Sequence, residues 1–155
     1  MIRYKRPYLD SSVYISAIQG ESGRAEIVRP ILDAADRGDI QVVGSTFVVA
    51  EVIRLKGEEK PLPPSSESAI DSILRNERIL WAELDYDLAI EARRLARLTG
   101  LKPGDAIHFA TAFHLKADVL LRWDSRFEAR STVEGLTLCD PYWYGDVPLA
   151  NPESA

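Results

Sequence analysis

The chain has 155 residues, 46% hydrophobic and 28% charged, which suits one globular domain with a core that needs no disulfide or metal as a staple. Its single cysteine, Cys139, excludes an internal disulfide framework and any multi-cysteine metal cluster, and favours a reducing compartment. A net charge of −5 and a pI near 5.1 argue against broad, sequence-blind nucleic-acid binding. They do not exclude an enzyme acting on nucleic acid, because carboxylates gathered as metal ligands inflate the negative count.

The N-terminal MIRYKRPYLDSS is basic, but it turns polar before any apolar stretch the length of a signal peptide's core. No run approaches the roughly 20 apolar residues of a membrane span, so a soluble cytoplasmic protein without membrane association is expected. The chain then reads as alternating strands and helices. Pro7–Asp10 is a strand ending at Asp10, and Ser11 or Ser12 can cap a helix over Val13–Gln19. Apolar residues at Ile27, Val28, Ile31, Leu32 and Ala35 space a helix over Arg24–Arg37, with Pro30 inside it and Gly38 as its stop. Gln41–Gly44 is a short buried strand, and Ser45 or Thr46 starts a helix through FVVAEVIRL toward Gly57. EEKPLPPSS, residues 58–66, is an exposed loop.

A helix over Glu67–Arg75 follows, capped by Ser65 or Ser66 without a capping box, and Ile79–Leu84 is the next strand. Asp85 and Asp87 open a strong helix that ends at Gly100. Gly100–Phe127 contains a helix from about Pro103, a turn at Lys116–Asp118 and a buried strand over Val119–Trp123. Gly135–Leu138 adds an edge strand, and Asp140–Ala155 packs irregularly before fraying. The alternation predicts an α/β three-layer sandwich with a mainly parallel sheet of four or five strands flanked by helices. One domain over residues 1–145 and a frayed tail over 146–155 are expected.

Gly100–Phe127 suggests where chemistry would gather. From Asp105 to Lys116 a helix advances roughly 16 Å at about 1.5 Å per residue. From Val119 to Asp124 a strand returns roughly 16 Å at about 3.3 Å per residue, which brings Asp105 and Asp124 to one end of the fold. Asp10 also falls at a strand end, where ligands of such sheets collect. Glu51 shares a helix face with Phe47, Val48, Val52 and Leu55, and a carboxylate aimed at an apolar side is usually paired or metal-bound.

Each acid also has a plain structural role to offer: Asp10 and Asp124 as helix caps, Asp105 as a dipole-stabilised first-turn acid, Glu51 as a partner of an arginine. Convergence of all four is what those roles leave unexplained. Carboxylates suit hard cations such as Mg²⁺ or Mn²⁺, and a metal site of this kind recruits phosphate without a phosphate-binding loop. GxxxxGK[ST], GxGxxG and HExxH are all absent, and Ser11 and Ser12 lack a GxSxG context. His108, three residues after Asp105, lies near its helical face and reads best as a hydrogen-bonded, half-buried histidine; His114 reads as surface.

These residues resemble the PIN-domain ribonucleases, and among them the VapC-like toxins of bacterial and archaeal toxin–antitoxin pairs. The matching pieces are YLDSSVYIS around Asp10, STFVVAEVIR around Glu51, and KPGDAIHFATAFHLKADVLLRWDSRF around Asp105 and Asp124. The resemblance covers about residues 7 to 140. It implies a Rossmann-like PIN fold and a Mg²⁺- or Mn²⁺-dependent endoribonuclease acting on RNA. Asp10, Glu51, Asp105 and Asp124 would be the catalytic acids, with Asp10, Asp105 and Asp124 holding metal or its waters. A homodimer and a cognate antitoxin that blocks the site are implied as well.

One departure stands out: the family usually carries Thr or Ser two positions before its last acid, where this chain has Arg122. If that hydroxyl orients a ligand or water, its role here is vacant or passes to Ser12 or Ser125, with His108 as a further supporting residue. Arg122 would instead contact phosphate or pair with an acid. Arg54, Arg122 and Arg126 are the phosphate-contact candidates, weighed against plain surface charge. The alternative function is a PIN-fold binding module that kept the acids, lost turnover and acts through a protein partner. A dehalogenase-type phosphohydrolase is disfavoured, because Ser12 stands where that chemistry needs a second aspartate.

Overall fold

The computed structural model describes residues 3–52, 64–123 and 130–145. Arg54, Asp124, Ser125 and Arg126, together with the expected 58–66 loop up to residue 63 and the tail over 146–155, lie outside them. Described elements follow in the order β1 Pro7–Leu9, α1 Ser11–Ile18, α2 Ala25–Asp36, β2 Val43–Ser45, α3 Thr46–Glu51 and α4 Pro64–Leu74. They continue with β3 Leu80–Ala82, α5 Tyr86–Thr99, α6 Pro103–His114, β4 Val119–Leu121, β5 Arg130–Val133 and β6 Leu136–Cys139. No helix among the described residues is long and apolar enough to cross a membrane.

The sheet has the order β3-β2-β1-β4-β6-β5. All its pairings are parallel except β5–β6, which is an antiparallel hairpin. Chain direction across the sheet reverses between β1 and β4, so a crevice opens beyond their carboxyl ends. Crossovers from β1 to β2 to β3 run one way and the return from β3 to β4 runs the other. Right-handed connections therefore put α1–α4 on one face and α5–α6 on the opposite face. Strand residues Tyr8, Leu9, Val43, Leu120 and Leu121, with Val42 just before β2, are buried and fill the middle of the core. Val13, Tyr14, Val28 and Ile31 pack from one side, Leu95 and Phe109 from the other.

Local chemistry accounts for most element ends. Ser45 caps α3 by accepting from the Phe47 amide at 3.0 Å, and Asp85 caps α5 by accepting from Leu88 at 2.8 Å. Pro103 occupies the first turn of α6, where its missing N–H costs nothing. Gly44 in β2 has a different reason to be glycine. A Cβ there would sit 2.6 Å from the Trp81 ring on the paired strand β3.

Several expectations need correcting. Helix α1 starts at Ser11, so neither Ser11 nor Ser12 is its cap; Asp10, with extended backbone (φ −74°, ψ 162°), holds the cap position. Helix α3 ends at Glu51, because Val52 leaves helical geometry (φ −83°, ψ 69°). Helix α4 begins three residues earlier than Glu67, at Pro64. Pro30 sits inside α2 without ending it. The last strand expected, over Gly135–Leu138, is β6, and it is internal; the edge is β5, which lifts the sheet to six strands. Glu134 (φ 47°) and Gly135 (φ 87°) form the two-residue turn between them, the left-handed pair that a tight hairpin requires. Beyond β6 the aromatic segment packs against the N-terminal residues, with Tyr142 and Tyr144 edge-on to the buried Tyr4 at 5.3 and 5.0 Å.

Candidate metal centre

Asp10 follows β1 at the point where strand order reverses, and its amide bonds the Leu121 carbonyl of β4 at 3.0 Å. Although it occupies the cap position of α1, its side chain makes no capping bond. The carboxylate is buried and turned into the crevice instead. Oδ2 accepts from Ser12 Oγ at 3.2 Å, and Ser12 Oγ in turn accepts from the Trp123 amide at 3.0 Å. The serine thus ties the end of β1 to the segment after β4.

Glu51 closes α3 and reaches the same place from the β2 side, with its side chain about one-third exposed. Its Oε1 lies 2.6 Å from His108 Nε2, and Asp10 Oδ1 lies 3.3 Å from the same nitrogen. The first contact is close but poorly aligned: neither Glu51 Oε1 nor His108 Nε2 has a well-formed hydrogen bond among the described residues. We therefore read it as an electrostatic contact.

His108 is fully buried, more so than the half-buried expectation, with 4% of its side chain exposed. Its other ring nitrogen, Nδ1, lies 2.7 Å from the Tyr8 hydroxyl. Burial first, and then the neighbouring Asp10 charge, hold the Tyr8 phenol far above its ordinary range, so it keeps its proton. Nε2 faces two carboxylate oxygens at 2.6 and 3.3 Å, so it is the ring nitrogen that carries a hydrogen toward them. Tyr8 went unsuspected in the sequence, where it reads as one more apolar strand residue.

Asp105 lies in the first turn of α6 and reaches the crevice from the opposite face. Its Oδ1 is 3.2 Å from Arg122 Nη1, and Arg122 Nε is 3.9 Å from Asp10 Oδ2. Arg122 thus pairs with an acid, one of the two roles the departure allowed. His114 is exposed, as expected.

The structure brings together Asp10, Glu51, Asp105, Ser12, His108 and Arg122. Asp124, Ser125, Arg54 and Arg126 fall outside the described residues. Asp10, Glu51 and His108 each bring a polar atom within 4.8 Å of the others; with a hydrogen on Nε2, the carboxylate oxygens are the ones that could hold a metal. Carboxylate oxygens predominate in the cluster, and Glu51 Oε1 lacks a well-formed partner, so the donor set fits a hard divalent cation.

Solved structures with the same fold include the VapBC2 complex of Rickettsia felis bound to a DNA fragment from its promoter. It matches with a TM-score of 0.64 and 17% identity over 88% of this chain and 98% of that one. A toxin–antitoxin complex from Klebsiella pneumoniae matches at 0.61 and 19% identity, with the same coverage of 88% and 98%. Mycobacterium tuberculosis VapC20, described as a sarcin–ricin loop cleaving toxin, matches at 0.57 and 16% identity over 76% of this chain and 89% of that one. No curated protein sequence matches significantly. A family model described as PIN domain matches residues 8–132, spanning every residue assembled above. A mainly parallel sheet with acids gathered at its switch point, matched along most of its length by that model, has one assignment: the chain belongs to the PIN domain family.

Proposed function

We propose that this protein is a metal-dependent endoribonuclease, a VapC-like toxin that hydrolyses RNA phosphodiester bonds and is held in check by a cognate antitoxin. The observation that carries the reading is the Asp10 carboxylate. It stands at a helix start yet caps nothing; it shares His108 Nε2 with Glu51 on one side and Arg122 with Asp105 on the other. Family membership and the toxin–antitoxin complexes among its structural relatives support the same reading.

In this reading Asp10, Asp105 and Asp124 hold Mg²⁺ or Mn²⁺ directly or through water, and Glu51 completes the set or positions the attacking water. A divalent cation bound there would acidify water near neutral pH and offset charge on the phosphate. Ser12 fixes the rotamer of Asp10 through its hydrogen bond. His108, locked by Tyr8, presents Nε2–H to Asp10 and Glu51 and keeps their oxygens aimed at one point. The antitoxin and a second copy of this chain are proposed partners. Exposed Tyr86, Ile90 and Leu98 on α5 offer them apolar surface to cover.

Asp10→Asn tests the assignment, since the amide keeps the shape and removes the charge. RNA cleavage in Mg²⁺ or Mn²⁺ should vanish while the far-UV circular dichroism spectrum stays unchanged. Equal cleavage by mutant and wild type, after removal of contaminating nuclease, would sink the assignment. A second reading, a binding module without turnover, draws on the Arg122–Asp105 ion pair inside the cluster. Mn²⁺-induced thermal stabilisation without any RNA cleavage would favour it.

A further inference from the structure

Arg122 is delivered into the acid cluster by a backbone pinned from both sides. Its amide bonds the Cys139 carbonyl of β6 at 3.1 Å. The next residue, Trp123, bonds Ser12 Oγ through its amide and Ser16 Oγ through its indole nitrogen, both at 3.0 Å. Only 12% of the Arg122 side chain is exposed. A guanidinium stays charged at every accessible pH, so a fixed positive charge sits at the mouth of a group of carboxylates. Its reach also divides the cluster. Asp10 turns Oδ2 toward Arg122 Nε at 3.9 Å, and Asp105 turns Oδ1 toward Nη1 at 3.2 Å. The other Asp10 oxygen, Oδ1, faces the buried His108 Nε2, which has no aligned partner and is aimed into the cluster beside Glu51.

We propose that Arg122 is a resident cation of this centre. It neutralises part of the charge that Asp10 and Asp105 present, and so weakens divalent binding and limits the centre to one ion. The inference rests on the metal-dependent reading above. Its physical basis is Coulombic: like charges a few ångströms apart repel strongly where water is scarce, so the guanidinium both repels an incoming ion and occupies two of its would-be ligands. A serine or threonine at this position would leave those ligands open.

The test is Mn²⁺ binding, followed by isothermal titration calorimetry and by thermal stabilisation, in wild type, Arg122→Gln, Arg122→Ser and Arg122→Lys. Both neutral variants should bind Mn²⁺ more tightly by about tenfold or more, or take up a second ion, as expected when a nearby like charge is removed. Without metal they should melt below wild type, because Asp10 and Asp105 are left facing each other; with Mn²⁺ they should gain more than wild type gains. Arg122→Lys keeps the charge and should stay close to wild-type affinity and stoichiometry. Arg122→Ser keeps the question answerable if the glutamine variant fails to fold. Unchanged or weaker Mn²⁺ binding in the neutral variants overturns the inference and leaves the metal reading standing. A lysine variant that binds as tightly as the neutral ones overturns it too. Absence of Mn²⁺ binding in all four proteins overturns both the inference and the reading beneath it.

Discussion

Tyr8 and Asp10 stand two apart on the same short segment, and both meet His108, which arrives from α6. Tyr8→Phe removes one hydroxyl and leaves a buried imidazole nitrogen unsatisfied, at a cost of about 1–3 kcal/mol. Urea denaturation should show that loss. Nitrogen chemical shifts of the ring should show His108 no longer held in a single tautomer; a variant as stable as wild type with an unchanged ring signal would contradict the role given to Tyr8. The acids were legible one by one, because Asp10, Glu51 and Asp105 each stand at an element end or on an odd face. Their partners were less so. Tyr8 and His108 are separated by 100 residues, and no local pattern marks a hydroxyl that will face a ring from another element.

At the scale of elements, the strongest constraint is the approach of Trp81 to Gly44. Gly44→Ala puts a methyl group 2.6 Å from a ring carbon, so the β2–β3 pairing must shift, with an expected loss of about 1–3 kcal/mol. Thermal melting of Gly44→Ala, Trp81→Leu and the double variant would show it as non-additivity: the alanine should cost far less once the ring is gone. Additive losses would mean that the contact does not matter. Periodicity suits α2 and α5, because each carries a buried stripe, whereas α6 is buried nearly all round. It failed for β5. RSTV has no apolar alternation, and this strand is held by backbone pairing with β6 around the Glu134–Gly135 turn. The end of α3 was also hidden, since FVVAEVIRL keeps a helical pattern past the point where Val52 leaves the helix.

Across the whole molecule, Tyr4, Tyr8 and Tyr14 are fully buried, and burial raises all three phenols well above their ordinary value. The sign follows directly. Above about pH 10 the unfolded chain releases these protons and the folded one keeps them, so stability present below that pH is lost as it rises. Each such group lowers the unfolding free energy by up to about 1.4 kcal/mol per pH unit in that window. Urea midpoints should therefore fall steeply between about pH 9 and 11, and the Tyr14→Phe variant should fall less steeply than wild type. An equal slope in the two proteins would place the alkaline loss elsewhere. The sandwich class and the meeting of α6 with the end of β4 were legible from chain arithmetic. The order of the strands was not, because parallel pairing leaves no local sequence signal.

That order has a consequence for how the protein comes into being. β1 lies between β2 and β4, and Ser12 meets Trp123 across 111 residues of chain. A ribosome delivers Asp10 and Glu51 well before Asp105 and the β4 flank. A nascent or truncated chain that stops before β4 carries half a crevice with no wall opposite Asp10. On the toxin reading proposed above, the producer handles inert fragments until β4 has been made. Contacts this distant in sequence also close slowly. On that reading, an inhibitor present at the ribosome would meet the chain before the crevice is complete.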